Sequence, residues 1–141
     1  MSNSLKTSNS YVTDKALESL EAEVRNLTKK KRFRHIKAVA DFTKELCSLY
    51  GGDPRKAYYA ALAHDMARDL PCNTIQNLAH EDGAPIRFFE KQAPVLLHGR
   101  AAAALLQRNY SVTDTDILDA VRNHTYGKPG MGHLAKLLFI A

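Results

Sequence analysis

The sequence predicts an all-α protein, a bundle of six or seven helices in one domain. Apolar residues recur at helical spacing, Gly and Pro stand where helices are expected to end or begin, and no segment alternates as a half-buried strand does. The length of 141 residues suits one such domain. We divide it into a flexible N-terminal tail, residues 1–12, and a single domain, residues 13–141.

The first two helices carry apolar stripes with spacings of three and four residues. The stripe of the first helix is Leu17, Leu20, Val24 and Leu27. The stripe of the second helix, expected over 32–50, is Val39, Phe42, Leu46 and Leu49. Both stripes are expected to face the core, and a Gly-Gly pair at 51–52 ends the second helix.

The third helix, expected over 54–68, is rich in alanine and should be central, because small side chains let neighbouring helices approach closely. Asp53 is suited to cap it, and Pro54 suits the first helical position. Later helices are expected over 74–80 and 94–109, then from 114 and from 131 onward.

Composition narrows the functional classes. A hydrophobic share of 45% with 25% charged residues is typical of a globular protein, and two cysteines give no disulfide framework. No apolar run reaches the roughly 18 residues of a membrane span, and the N-terminus has no secretory pattern, so we expect a cytoplasmic protein without a membrane partner. The net charge of +5, with KKKRFR at 29–34, favours an anionic partner.

Four histidines are spaced from apolar residues so that each should point into the bundle from a different helix. They are His35, His64, His98 and His124. One buried histidine bonded to a carbonyl group is ordinary, but four that converge favour a metal ion, because burying unpaired imidazoles costs free energy. Asp65 adds a carboxylate that needs a cation. Such a site suits Fe, Mn, Ni or Zn.

Five motifs occur around these residues, in this order along the chain: Arg32-Phe33-Arg34-His35, Tyr50-Gly51-Gly52-Asp53, His64-Asp65-Met66-Ala67-Arg68, Leu97-His98-Gly99, and His124-Thr125 followed by Gly127 and Gly130-Met131. The ordered set resembles the HD-domain phosphohydrolases, and most closely the YqeK group of symmetrical bis(nucleosyl)-tetraphosphatases. The resemblance covers about 31–141. It implies an HD-domain helical bundle.

The resemblance implies one or two divalent transition-metal ions, with iron preferred over manganese, nickel, zinc and cobalt. The implied ligands are His35, His64, Asp65, His98 and His124. The implied reaction is cleavage of a dinucleoside polyphosphate by metal-activated water, with diadenosine tetraphosphate yielding two ADP. Catalytic roles are expected for Asp65, Arg68 and Asp69, of which Asp69 would orient Arg68 or a water molecule. Substrate contacts are expected from Arg32, Arg68, Thr125, Gly127 and Lys128.

The sequence is also compatible with other functions. Proteins of the resembled group continue the last helix into an Ala-Asp pair whose Asp binds metal, whereas this sequence ends at Ala141. Two explanations stay open: the sequence is a piece of a longer protein, or the natural protein lacks that ligand. The alternatives are another HD-type nucleotide phosphohydrolase, such as a nucleotidase, and a catalytically impaired nucleotide-binding or regulatory module. A nucleic-acid binder built on 29–34 ranks last because it leaves the histidines unexplained. A homodimer through the stripe of the first helix is a further hypothesis.

Overall fold

The structure is a computed structural model that describes residues 12–141, and the all-α prediction is confirmed there. In that range it has no strand, two short 3₁₀ helices (His80–Asp82 and Pro94–Leu97) and eight α-helices, close to the six or seven expected. The α-helices are α1 (Asp14–Leu27), α2 (Lys30–Tyr50), α3 (Pro54–Ala63), α4 (Cys72–Ala79), α5 (Phe88–Gln92), α6 (His98–Tyr110), α7 (Thr115–Arg122) and α8 (His133–Ile140). None of the helices in 12–141 combines the length and apolar composition that a membrane crossing requires.

The N-terminal tail was predicted over residues 1–12. Residues 1–11 lie outside the described residues, and Val12 is buried.

Helix α3 lies at the centre of the bundle, as its alanine content predicts. The Asp53 carboxylate accepts hydrogen bonds from the backbone N–H groups of Arg55 and Lys56, and Pro54 occupies the first turn. Its alanines are fully buried, so that α1, α2, α6, α7 and α8 all pack against it. The residues that directly follow α3 are therefore delivered to the middle of the molecule.

The stripe of α1 packs inside the chain. Leu20 and Val24 are fully buried in the core cluster that also contains α3, and Leu17 and Leu27 are partly buried against it. Since this surface is used within the chain, it gives no support to a homodimer, which stays a prediction.

The prediction for the inward face of α2 is half right: Val39 and Leu46 are partly buried against the core, but Phe42 and Leu49 are not. Phe42 is 47% exposed and Leu49 is 70% exposed. The buried face consists of Phe33, Ile36, Ala40, Thr43 and Cys47. This face contains small and polar residues, and a search for hydrophobic stripes does not select such residues as buried. The hydroxyl group of Thr43 donates a hydrogen bond to the carbonyl oxygen of Val39 at 2.7 Å, so this polar side chain is buried without an unpaired donor.

Helix α3 ends five residues earlier than the predicted end at 68. Hydrogen bonds from residue i to i−3 take over, joining the N–H group of Met66 to Ala63 and that of Arg68 to Asp65, both at 3.0 Å. In such tight turns, side chains three residues apart lie on the same side. The change in backbone geometry therefore places Arg68 on the same side of the segment as Asp65.

Candidate metal centre

Three histidines, two of them buried and the third partly buried, surround the carboxylate group of Asp65. They are His64 at the end of α3, His98 at the start of α6 and His124 just after α7. The Nε2 atoms of His98 and His124 lie 3.0 and 3.4 Å from Oδ1 of Asp65. Nε2 of His64 lies 3.4 Å from Oδ2. The convergence of these four residues, 60 positions apart at the extremes, agrees with the prediction.

The fourth histidine, His35, lies at the rim of the cluster. Its Nε2 atom is 3.7 Å from Oδ2 of Asp65, but its side chain is 54% exposed. The prediction that His35 projects into the interior is therefore wrong, but His35 does lie beside Asp65, its partner in the implied ligand set. His35 lies in the second turn of α2, beside the buried Ile36, so the helix directs it past the core toward solvent.

The three rings around Asp65 use Nδ1 in the same way. Each Nδ1 donates a hydrogen bond to the main-chain carbonyl group three residues earlier, at 2.5 Å for His64, 2.7 Å for His98 and 2.8 Å for His124. A neutral imidazole with its proton on Nδ1 presents a bare lone pair at Nε2. Since all three Nε2 atoms face Asp65, the backbone holds three donor atoms toward one point, as in histidine metal sites.

The donor chemistry fits a divalent transition metal. The Nε2 atoms of His98 and His124 are 3.0 Å apart, a distance at which two lone pairs repel unless a cation or a proton lies with them. Asp65 belongs to two potential ligand groups, one with His35 and His64 and the other with His98 and His124. Its two carboxylate oxygens face different groups, which is the arrangement of a carboxylate that can bridge two ions.

The ionisation of the cluster also suits metal binding. Burial raises the pKa of Asp65. Nε2 of His124, His64 and His98 can donate to this carboxylate when the ring carries a second proton, and these interactions outweigh burial and hold the pKa of Asp65 well below its usual range. Burial lowers the pKa of His124, which favours the neutral ring. The cluster thus holds a carboxylate and imidazole nitrogen, the forms that bind metal.

Gly99 permits the close approach of α6 to the end of α7. A Cβ atom at this position would lie 3.0 Å from the carbonyl oxygens of Val121 and Arg122, and 3.3 Å from Cε1 of His124. The missing side chain is therefore what allows His98 and His124 to meet. Sequence reasoning named this glycine only as part of a motif, because its neighbours come from a different helix.

The family model for the HD domain matches residues 32–141, a range that contains every residue of the cluster. The chain belongs to the HD-domain family. HD domains bind divalent metals, and the two His/Asp groups of this HD domain are suited to hold them.

This HD domain is similar to two proteins named symmetrical bis(5'-nucleosyl)-tetraphosphatase. The one from Bacillus subtilis is 36% identical over 110 residues, which are 78% of this chain and 59% of that protein. The one from Halalkalibacterium halodurans is 34% identical over 112 residues, 78% of this chain and 58% of that protein. The chain thus spans less than two thirds of the length of these relatives.

Its fold is similar to a crystal structure from Clostridium acetobutylicum, described as a predicted HD superfamily hydrolase involved in NAD metabolism. The two share 31% sequence identity with a TM-score of 0.82, over 88% of this chain and 66% of the other.

A cationic cavity of about 590 Å³ opens beside His35 and Asp65, and we call it the Arg68 cavity. It is lined by Lys29, Lys31, Arg32, His35, Asp65, Arg68 and Asp69. This cavity brings together four residues that the sequence predicts for the site: Arg32, Arg68, Asp65 and Asp69. Lys29 and Lys31 were not predicted as site residues, although the basic run at 29–34 was the available signal.

Asp69 orients Arg32, where sequence reasoning expected Arg68 or a water molecule. Nε and Nη2 of Arg32 both donate to Oδ1 of Asp69 at 3.2 Å, and the N–H group of Lys29 donates to Oδ2 at 3.0 Å. Burial raises the pKa of Asp69, but these donors outweigh it and lower the pKa. Arg68 forms no ion pair with any residue that the structure describes, so its guanidinium group is available to a ligand.

The remaining predicted substrate residues line a different cavity, of about 470 Å³, which we call the Tyr126 cavity. Thr125, Gly127 and Lys128 lie there together with Tyr126. The structure therefore divides one predicted substrate site into two cavities. Oγ1 of Thr125 is 3.4 Å from Nε2 of His124, which joins the second cavity to the metal centre.

Proposed function

We propose that this chain is a metal-dependent phosphohydrolase that cleaves dinucleoside polyphosphates, with diadenosine tetraphosphate cut to two ADP. The observation that carries the proposal is the Asp65 carboxylate shared by two histidine pairs at the edge of a cationic cavity. The similarity to two proteins named symmetrical tetraphosphatases supports the choice of substrate. The activity is a proposal because the chain matches only part of their length.

The proposed ligands form two groups. His35 and His64 would hold one ion with Oδ2 of Asp65, and His98 and His124 would hold a second with Oδ1. A divalent metal at such a site supplies Lewis acidity, which activates water and neutralises phosphate charge. We propose iron, and test manganese, nickel, zinc and cobalt beside it, because this set of nitrogen and oxygen donors accepts each of them.

The basic side chains of the Arg68 cavity would hold the polyphosphate. Arg68 lies on the same side of its segment as Asp65, and its planar guanidinium group can bind two phosphate oxygens at once. Arg32 is held in place by Asp69 before a ligand arrives, so less side-chain entropy is lost on binding. These side chains would position the substrate against the centre and offset the charge that develops on the departing phosphate group.

The direct experiment combines metal analysis of the purified protein with chromatography of products from diadenosine tetraphosphate. ADP as the only product agrees with the proposal, and ATP with AMP contradicts symmetrical cleavage. His64→Ala should lose both bound metal and hydrolysis. His80→Ala is the matched control, because His80 is exposed in a 3₁₀ helix outside the cluster. Retention of metal and activity by His64→Ala would reject the assigned site.

The alternatives give different results in the same assays. A nucleotidase would release inorganic phosphate from nucleoside monophosphates and leave diadenosine tetraphosphate intact. A regulatory module would bind nucleotide tightly without turnover. Either result would replace the tetraphosphatase proposal, while the metal analysis would still test the ligand set.

A further inference from the structure

We infer that the Tyr126 cavity is a second nucleotide subsite, which receives one ADP half of the dinucleoside tetraphosphate while the Arg68 cavity receives the other half. The inference rests on the proposed function, because the metal centre between the two cavities would hold the central phosphates. A substrate cleaved in its middle extends equally to both sides of the scissile bond. An enzyme for such a substrate therefore needs two places for chemically similar halves.

The two cavities adjoin different halves of the metal centre. The Arg68 cavity is lined by His35, which faces Oδ2 of Asp65. The Tyr126 cavity is lined by Thr125, whose hydroxyl group lies beside His124 of the Oδ1 group. Phosphates placed at the centre can thus continue into one cavity past His35 and into the other past Thr125.

The charges of the Tyr126 cavity suit an anion. Its charged lining consists of the cations Arg87, Arg100, Arg122 and Lys128 and the carboxylates Asp82 and Glu90. The Arg68 cavity also has four cations and two carboxylates. Both surfaces therefore have the same excess of positive charge, as two diphosphate groups of equal charge would require.

Two of these cations are available to a ligand. The guanidinium group of Arg100 is occupied, since it donates to both carboxylate oxygens of Asp82 at 2.7 Å and to nearby carbonyl groups. Arg87 and Lys128, in contrast, form no ion pair with any residue in the described part of the chain. The Arg87 guanidinium group lies over the Phe89 ring, 6.0 Å from the ring centroid. We therefore assign phosphate binding in this cavity to Arg87 and Lys128.

The cavity also offers a surface for a nucleobase. Tyr126 is 50% exposed, and its ring meets the Phe89 ring edge to face, with 6.5 Å between centroids. An exposed aromatic face beside Arg87 and Lys128 suits a purine base joined to phosphates, because bases stack on aromatic rings. The lining of the Arg68 cavity, within the described residues, includes no Tyr or Phe. The Tyr126 cavity is therefore the subsite expected to recognise the base more strongly.

Calorimetric titration of the metal-loaded protein with ADP tests the inference. The wild type should bind two ADP per chain. The double variant Arg87→Gln, Lys128→Gln should bind one, and its kcat/KM for diadenosine tetraphosphate should fall at least ten-fold. Tyr126→Leu should weaken one of the two sites by roughly ten-fold or more, the effect of removing a stacking ring. Lys136→Gln is the control, because this exposed lysine lies on α8 outside the lining of both cavities.

A reciprocal variant separates the two subsites. Arg68→Gln should also bind one ADP, and combining it with the double variant should remove both sites. Thermal unfolding of each variant checks that the fold is intact, since all these side chains lie at cavity surfaces. A wild type that binds one ADP, or a double variant with unchanged stoichiometry and kcat/KM, would overturn the second subsite even if diadenosine tetraphosphate is hydrolysed. Two ADP sites without hydrolysis would support the subsite and reject the proposed reaction.

Discussion

Replacing Gly99 with alanine is expected to separate α6 from the end of α7. The new Cβ atom would lie 3.0 Å from the carbonyl oxygens of Val121 and Arg122, and ordinary contact begins at 3.4 Å. One of the two segments must therefore move by at least 0.4 Å. Because Nδ1 of His124 is bonded to the carbonyl group of Val121, the ring moves with that carbonyl. The movement would lengthen the 3.0 Å separation between the Nε2 atoms of His98 and His124.

Two measurements follow from this geometry. Packing an extra methyl group into a filled core costs about 1–3 kcal/mol. For a domain of this size, such a cost lowers Tm by roughly 3–12 °C. Metal held by the His98 and His124 group should be lost first, because a movement of 0.4 Å or more takes up most of the roughly 0.5 Å within which ligand positions must be held. Thermal unfolding with metal analysis by mass spectrometry measures both effects.

The control is Gly132→Ser. A Cβ atom on Gly132 meets no heavy atom within 4 Å, and serine is favoured at the start of a helix such as α8. This variant should keep its Tm and its metal. If Gly99→Ala has the Tm and metal content of the wild type, the argument that close helix approach holds the two histidines together is refuted.

Three further predictions concern carboxylates. Asp65→Asn removes the charge shared by both ligand groups and should abolish metal binding and lower hydrolysis by more than about 100-fold, as metal analysis and ADP release would measure. Asp69→Asn frees Arg32 and should raise KM more than it lowers kcat; an unchanged KM would contradict the positioning role. Burial raises the pKa of Asp82, but hydrogen bonds from Arg100 and a backbone N–H group outweigh it and lower the pKa. This stabilisation is complete above about pH 3.9 and is lost as pH falls through the lower folded-state pKa, so acid denaturation should be shallower in Asp82→Asn than in the wild type.

The helices and the metal-binding residue types could be predicted because they depend on local pattern. Asp53 and Pro54 cap α3 as expected, since capping involves neighbours in sequence. The inward face of α2 could not be predicted, because two faces satisfy the helical spacing. The face with Ala40 and Thr43 is the buried one, although the stripe with Phe42 is more hydrophobic.

The division of the predicted substrate residues also required the structure. Arg68 and Lys128 lie 60 positions apart, and no local pattern says whether they face one cavity or two. The early end of α3 had a similar consequence, because the tighter turns after Ala63 set the direction of Asp65 and Arg68. On a continuous α-helix the two side chains would lie about 60° apart around the axis, whereas in the tighter turns they lie one above the other.

The sequence by itself determined the helical class, the central alanine-rich helix and the set of imidazole and carboxylate groups available to a metal. These depend on residue type and on neighbours within one or two helical turns. Tertiary packing decided that His35 lies at the rim, that Nε2 is the ring nitrogen facing Asp65, and that the two cavities adjoin opposite oxygens of that carboxylate. The physical reason is that these relations join separate helices, and their distances are set by how closely the helices pack.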